Sequence, residues 1–323
     1  MIETRLTKQL NLTHPIVLAP MAKVGGGALA AAVSGAGGLG LIGGGYCEPD
    51  WIMEQFDLAD GAEIGCGFIT WRLAQKAGLL EAVLERKPRA IFLSFGDVAP
   101  FVDVIKSQGV PLICQVQTMA DMQNAVQCGA DMVVAQGAEA GGHGQSRSTM
   151  TFVPEVANWL AVNAPDVLLL AAGGIADARG LAASLMLGAD GVVMGTRFWA
   201  SDEALVPPNH HEAGFSATGD DTLQSKVIDI VRGFDWPERF NNRTLRNRFT
   251  DLWQDDYEGL RKDKAAQDEW INAIVSGNVD VASATVGQGV GLISKSAPAG
   301  KIVENIMTEA KALLRSTASR LEE

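Results

Sequence analysis

The stretch "ADMVVAQGAEAGGHGQ", residues 130–145, decides the fold. Its first half, Met132–Ala135, is apolar without any alternation of polar and apolar positions. A strand with one face in water alternates; a strand buried on both faces, as in a parallel sheet, does not. The second half packs four glycines and a single histidine into the ten positions 136–145. Backbone this poor in side chains, directly after a buried strand, marks a loop where the main chain can approach a flat ligand and expose N–H groups to it. The chain has only four histidines. His143 in such a loop is therefore a catalytic candidate.

Outward from this stretch, seven more apolar runs complete a set of eight: 15–20, 39–43, 63–69, 90–95, 111–116, 167–173 and 191–196, with 131–136 as the sixth. Helical patterns separate them. "TMADMQNAVQCGA" (118–130) and "DARGLAASLMLGA" (177–189) each run into a glycine that suits a helix C-terminus, and "VPEVANWLAVNAP" (153–165) opens near Pro154 and stops at Pro165. Eight βα units predict an α/β fold, a closed (β/α)8 TIM barrel, since a doubly wound sheet more often has five to seven strands. The spacing then breaks down. Residues 200–290 are more polar and carry helical stretches such as "DDTLQSKVIDIVRG" (220–233) and "DKAAQDEWINAIVSG" (263–277). This predicts a helical insertion after the eighth strand, a lid over the active site. Residues 1–199 and 291–323 then form the barrel, closed by a last helix over "GKIVENIMTEAKALLRSTASRL" (300–321). Trp236, Trp253 and Trp270 are expected to be mostly the insertion's own core.

The charge balance, 26 basic against 38 acidic residues, gives −12 and argues against nucleic acid or an anionic membrane as partner. Cys47, Cys66, Cys114 and Cys128 are widely spaced without a CxxC, as expected of reduced thiols in a cytoplasmic protein rather than a disulfide or zinc framework. The N-terminus "MIETRLTKQL" has no apolar segment of the signal-peptide kind, and glycines interrupt the longest weakly polar stretch, 24–46.

In a parallel barrel the active site forms where strands run into βα loops. The loop after the seventh strand is "AAGGIADARG" (171–180), and after the eighth "MGTRFW" (194–199). These two loops commonly bind phosphate through backbone N–H groups, so Gly173, Gly174, Gly195 and Thr196 are expected to hold one. "GAGGLG" (35–40) matches the dinucleotide fingerprint G-x-G-x-x-G, but it follows a helical pattern and precedes a strand, the reverse of what that fingerprint requires. His14 precedes the first strand and is expected to be structural. His210 and His211 are adjacent, point in different directions and have no carboxylate–histidine spacing beside them, so no metal site is predicted.

Taken in order, "HPIVLAPMA" (14–22), "QGAEAGGHG" (136–144), "AAGGIADARG", "GVVMGTRF" (191–198) and "VGQGVGLI" (286–293) resemble the nitronate monooxygenases, formerly called 2-nitropropane dioxygenases. "RTLRNRF" (243–249) resembles a subset of them. That resemblance implies an FMN-dependent TIM-barrel flavoprotein that oxidises alkyl nitronates, and neutral nitroalkanes as well, with O2 to carbonyl compounds and nitrite. It implies that Ala19, Pro20 and Met21 lie along the isoalloxazine, and that Gln115, Gln136, Ala140, Gly141 and Gly142 contact the ring or ribityl chain. Gly173, Gly174, Gly195 and Thr196 would hold the phosphate, and His143 would face the flavin N5 and the substrate as catalytic base. Two positions depart from the pattern: Gly67 stands where members often have Asn, and Gln115 where they often have Lys. The resemblance extends to relatives that oxidise NAD(P)H, of the quinone reductase or enoyl-acyl-carrier-protein reductase type. A non-catalytic flavin-binding barrel is the third alternative, and it would leave the histidine without a purpose. Oligomeric state is left open, a homodimer included.

Overall fold

The computed structural model of the protein describes residues 2–319, so Arg320 and Leu321 of the expected last helix lie outside the described residues. All eight expected strands form. They are β1 (Ile16–Leu18), β2 (Leu41–Gly43), β3 (Gly65–Ile69), β4 (Ile91–Ser94), β5 (Leu112–Val116), β6 (Met132–Gln136), β8 (Leu168–Ala172) and β9 (Gly191–Met194). Every pairing among them is parallel, in the order β1-β9-β8-β6-β5-β4-β3-β2. The ring closes between the first and last of that order through a parallel bridge from Val17 to Leu39.

The absence of alternation in the sequence has a direct cause. Successive side chains of a strand point to opposite faces, and here both faces are dry. Val17, Leu41, Phe92, Ile113, Val134, Leu170 and Val193 fill the barrel interior. Their neighbours Ile42, Phe68, Leu93, Cys114, Val133, Leu169 and Val192 pack outward under the helices. Leu6 and Leu10 join the interior cluster from the N-terminal segment. The four cysteines are free, and Cys47, Cys66 and Cys114 are buried. Burial pushes the Cys47 and Cys114 thiols up to about 12, so they behave as small apolar core residues.

Of the helices expected in the insertion, 263–277 forms as Lys264–Ser276, and a small sheet that the sequence did not predict accompanies it. β7 (Gly142–Gly144), β10 (Thr222–Ser225) and β11 (Asn241–Leu245) make an antiparallel sheet in the order β10-β11-β7. Residues 220–233, expected to be one helix, are instead a short 3-10 turn, then β10, then a helix over Val227–Val231. The insertion has its own core around Val227, Phe249, Leu260, Trp270 and Val281. A second cluster (Trp199, Leu245, Val286 and Val290) joins it to the barrel.

Candidate active site

Every residue expected at the site lines one cavity at the C-terminal ends of the strands. Ala19, Pro20 and Met21 follow β1, and Gly67 lies in β3 against Pro20. Gln115 comes from β5, while Gln136, Ala140, Gly141, Gly142 and His143 come from β6 and the loop behind it. Gly173 and Gly174 follow β8, and Gly195 and Thr196 follow β9. The insertion adds Arg232, Trp236 and Asn242.

The loops after β8 and β9 present main chain. Gly174 has φ +71°, a left-handed conformation that L side chains rarely adopt. The N–H groups of Gly174 and Thr196 have no partner among the described residues. The Thr196 hydroxyl oxygen accepts a hydrogen bond from the Gly287 N–H at 2.9 Å, which leaves its own proton free to donate. Free donors converging on one place fit an anionic oxygen ligand.

The loop after β6 is held differently from what its glycines suggested. A Cβ on Gly141 would come within 2.5 Å of the Gly287 nitrogen, so packing against the "VGQGVG" segment by itself requires glycine at this cavity-lining position. Gly142 to Gly144 pair with β11, His143 lying opposite Asn242. The Gln136 amide donates to the His143 carbonyl at 3.0 Å and accepts from Gln117 at 2.7 Å. Arg243, from the "RTLRNRF" motif, donates to the Ala138 carbonyl and the Thr222 hydroxyl, tying the loop to the insertion. The backbone of His143 is thus fixed from both sides.

The ring is fixed as well. His143 is buried, with its Nε2 2.9 Å from each carboxylate oxygen of Asp229. Trp236 lies flat on it, with centroids 3.3 Å apart at 8°. Phe95 meets the same ring edge-on, from a backbone at φ +67° that is unusual for a bulky residue. A carboxylate only accepts hydrogen bonds, so Nε2 carries the proton and Nδ1 the lone pair. Nδ1 has no partner among the described residues and is not sealed from solvent. Desolvation by burial pushes the imidazole pKa below its ordinary value, and the bond to Asp229 opposes this without overcoming it. The ring is therefore neutral at neutral pH and able to accept a proton.

Two further observations bear on a bound group. The Oδ1 of Asn242 is buried in the cavity wall without a hydrogen-bond partner, a state that polar atoms seldom keep unless something binds there. Gln115 forms no side-chain hydrogen bond among the described residues and lines the same space. Asp229, Trp236 and Asn242 were all missed from sequence. One signal was present: a carboxylate inside the apolar run "VIDIV" (227–231) has to find a buried partner. By contrast, His211 of the expected non-metal pair bonds the Trp199 carbonyl at 2.8 Å.

A parallel barrel with free backbone N–H groups after its last two strands and a neutral histidine at its mouth defines an enzyme of the cofactor-binding TIM-barrel class. The nitronate monooxygenase family model matches residues 3–62 and 67–309, and the chain belongs to that family, one of flavin-dependent oxidoreductases. It is 35% identical to the nitronate monooxygenase npaC of Metarhizium robertsii, over 98% of this chain and 97% of that one. It is 30% identical to a nitronate monooxygenase of Neurospora crassa, over 92% and 89%. Among solved structures it resembles FabK from Thermotoga maritima, with a TM-score of 0.85 and 31% identity over 99% of this chain and 100% of that one. Among the described residues, no helix is long and apolar enough to cross a membrane.

Proposed function

We propose that the protein binds FMN in this cavity and oxidises alkyl nitronates with O2 to carbonyl compounds and nitrite, taking neutral nitroalkanes after removing a proton from them. The observation that carries this reading is the state of His143: buried, neutral, protonated on Nε2 and open at Nδ1, in the wall of a cavity with free N–H donors. When bound, the flavin supplies the electron transfer and the reaction with oxygen, and the protein supplies position and proton transfer.

In this reading Ala19, Pro20, Met21, Gly67, Gln115, Gln136, Ala140, Gly141 and Gly142 surround the isoalloxazine and ribityl chain, while Gly173, Gly174, Gly195 and Thr196 hold the single phosphate. The site contains no second nucleotide-binding fingerprint, which favours FMN over FAD. His143 accepts the proton from the carbon next to the nitro group, a carbon acidic enough for imidazole. The insertion, through Arg232, Trp236 and Asn242, serves as the lid. Four free cysteines fit a reducing cytoplasm.

Purified protein should be yellow and release FMN on denaturation, and its oxygen uptake with ethylnitronate should exceed that with NADH or NADPH, with nitrite appearing in the medium. A colourless protein that takes up no FMN would overturn the cofactor assignment. Faster turnover of NAD(P)H, with no nitrite from nitronate, would move the protein to the pyridine-nucleotide-oxidising alternative.

A further inference from the structure

His143 sits on the barrel, but the groups that fix its ring do not. Asp229 belongs to the helix Val227–Val231 and Trp236 to the segment behind it, both in the insertion, 86 and 93 residues further along the chain. Asp229 is itself buried, among Val227, Ile228 and Ile230. A carboxylate in such surroundings is costly unless a donor meets it. The donor within reach is the His143 Nε2–H, placed symmetrically between its two oxygens. The pairing is selective in its effect, because it excludes the tautomer whose proton would sit on Nδ1 and block it.

We propose that Asp229 is the positioning residue of the base, so that the insertion supplies half of the proton-transfer machinery and the barrel the other half. The inference rests on His143 acting as the base. As the C–H bond of the nitroalkane breaks, its electron pair forms the C=N bond of the nitronate and the nitro oxygens take up the negative charge. The proton ends on Nδ1, and the imidazolium so formed keeps donating from Nε2 to the Asp229 carboxylate. Trp236, flat on the ring, adds its π face to the same cation. The charged and titratable groups around the ring are Asp229, Arg232 from the same part of the insertion, and Tyr46 from the loop after β2. The Arg232 guanidinium lies over the Tyr46 ring at 4.6 Å, and its charge works against Asp229 by disfavouring a cationic ring.

The test uses the flavin-loaded enzyme with Asp229→Asn and Asp229→Glu, supplied with nitroethane or with preformed ethylnitronate. In Asp229→Asn, kcat on nitroethane should fall by roughly 10²–10⁴, as expected when a base loses its orienting carboxylate. Turnover of ethylnitronate and flavin content should change by less than about threefold, within the scatter of a substitution that spares the chemistry. The acid limb of kcat/KM on nitroethane should move to lower pH, because the carboxylate that raised the imidazole pKa is gone. Asp229→Glu should recover at least tenfold of the loss. Independently of activity, 15N spectra of the wild-type imidazoles should show His143 protonated on Nε2 and bare on Nδ1. A wild-type rate and pH profile in Asp229→Asn, equal losses on both substrates, or a His143 proton on Nδ1 would each overturn the proposal. If His143→Ala itself turns over nitroethane normally, the base assignment has failed. If His143→Ala is inactive while Asp229→Asn is not, the positioning role has failed.

Discussion

Where β8 and β9 end, the cavity is lined by main chain: glycines, free N–H groups and one hydroxyl contributed by residues 173–174 and 195–196. Where β6 ends, it is lined by side chains drawn from distant parts of the sequence, His143, Trp236 and Asn242, with the buried Asp229 behind the His143 ring. The two parts obey different physics. A backbone site depends on local conformation, so the residues that build it are consecutive and largely glycine. A side-chain site depends on burial and pairing, so its members are brought together only by the tertiary fold. Each part should respond to its own kind of substitution and be indifferent to the other's.

The largest effect is expected at the backbone part. Gly174→Asp places a carboxylate where an anion is to bind, at a position already beside Glu139, whose Cβ lies 3.2 Å from where the new Cβ would stand. An uncompensated like charge of this kind costs about 3–5 kcal/mol, so FMN affinity should drop by roughly 10²–10⁴ while the barrel stays folded. Equilibrium dialysis and circular dichroism check this. Unchanged FMN affinity would remove Gly174 from the phosphate site.

A comparable energy, but a different symptom, is expected in the insertion. Phe249 is fully buried in its core. Phe249→Ala should cost about 3–5 kcal/mol of stability by denaturant unfolding. Nitroalkane turnover should fall in step as Asp229 and Trp236 lose their support, while FMN remains bound. Loss of FMN together with turnover would mean that the two parts are not independent.

The smallest effect is in pH. Burial holds the His143 pKa below the ordinary 6.5. A base works only when unprotonated, so turnover of neutral nitroalkane should persist below pH 6.5 and fall as pH drops through the lowered value. The same profile measured on preformed nitronate should lack this limb. A limb above 6.5 on the nitroalkane would contradict the desolvated environment of the ring.

The contrast also explains what could be read in advance. All eight barrel strands were legible, because burial on both faces writes itself as unbroken apolar runs such as Met132–Ala135 and Leu168–Ala172. Loop position and composition also singled out Gly173, Gly174, Gly195 and Thr196, and all four line the cavity. The strands β7, β10 and β11 were not legible. Gly142–Gly144 has no strand-forming composition, and it pairs only because Asn241–Arg243 lies alongside it. At Gly141 the glycine after β6 has a second reason that the sequence did not show, since a Cβ there would meet the Gly287 nitrogen. Trp236 could not be told from the core residue Trp270 by composition, since both are aromatic residues in the same polar insertion.

The central claim, that His143 removes a proton and does not merely bind, is tested most directly by nitrite release from His143→Ala on nitroethane and on ethylnitronate. With FMN retained, the nitroethane rate should fall by roughly 10²–10⁴, the span expected for loss of a general base. The ethylnitronate rate should fall far less, because that substrate arrives already ionised. Equal losses on both substrates, or none on either, would contradict the account.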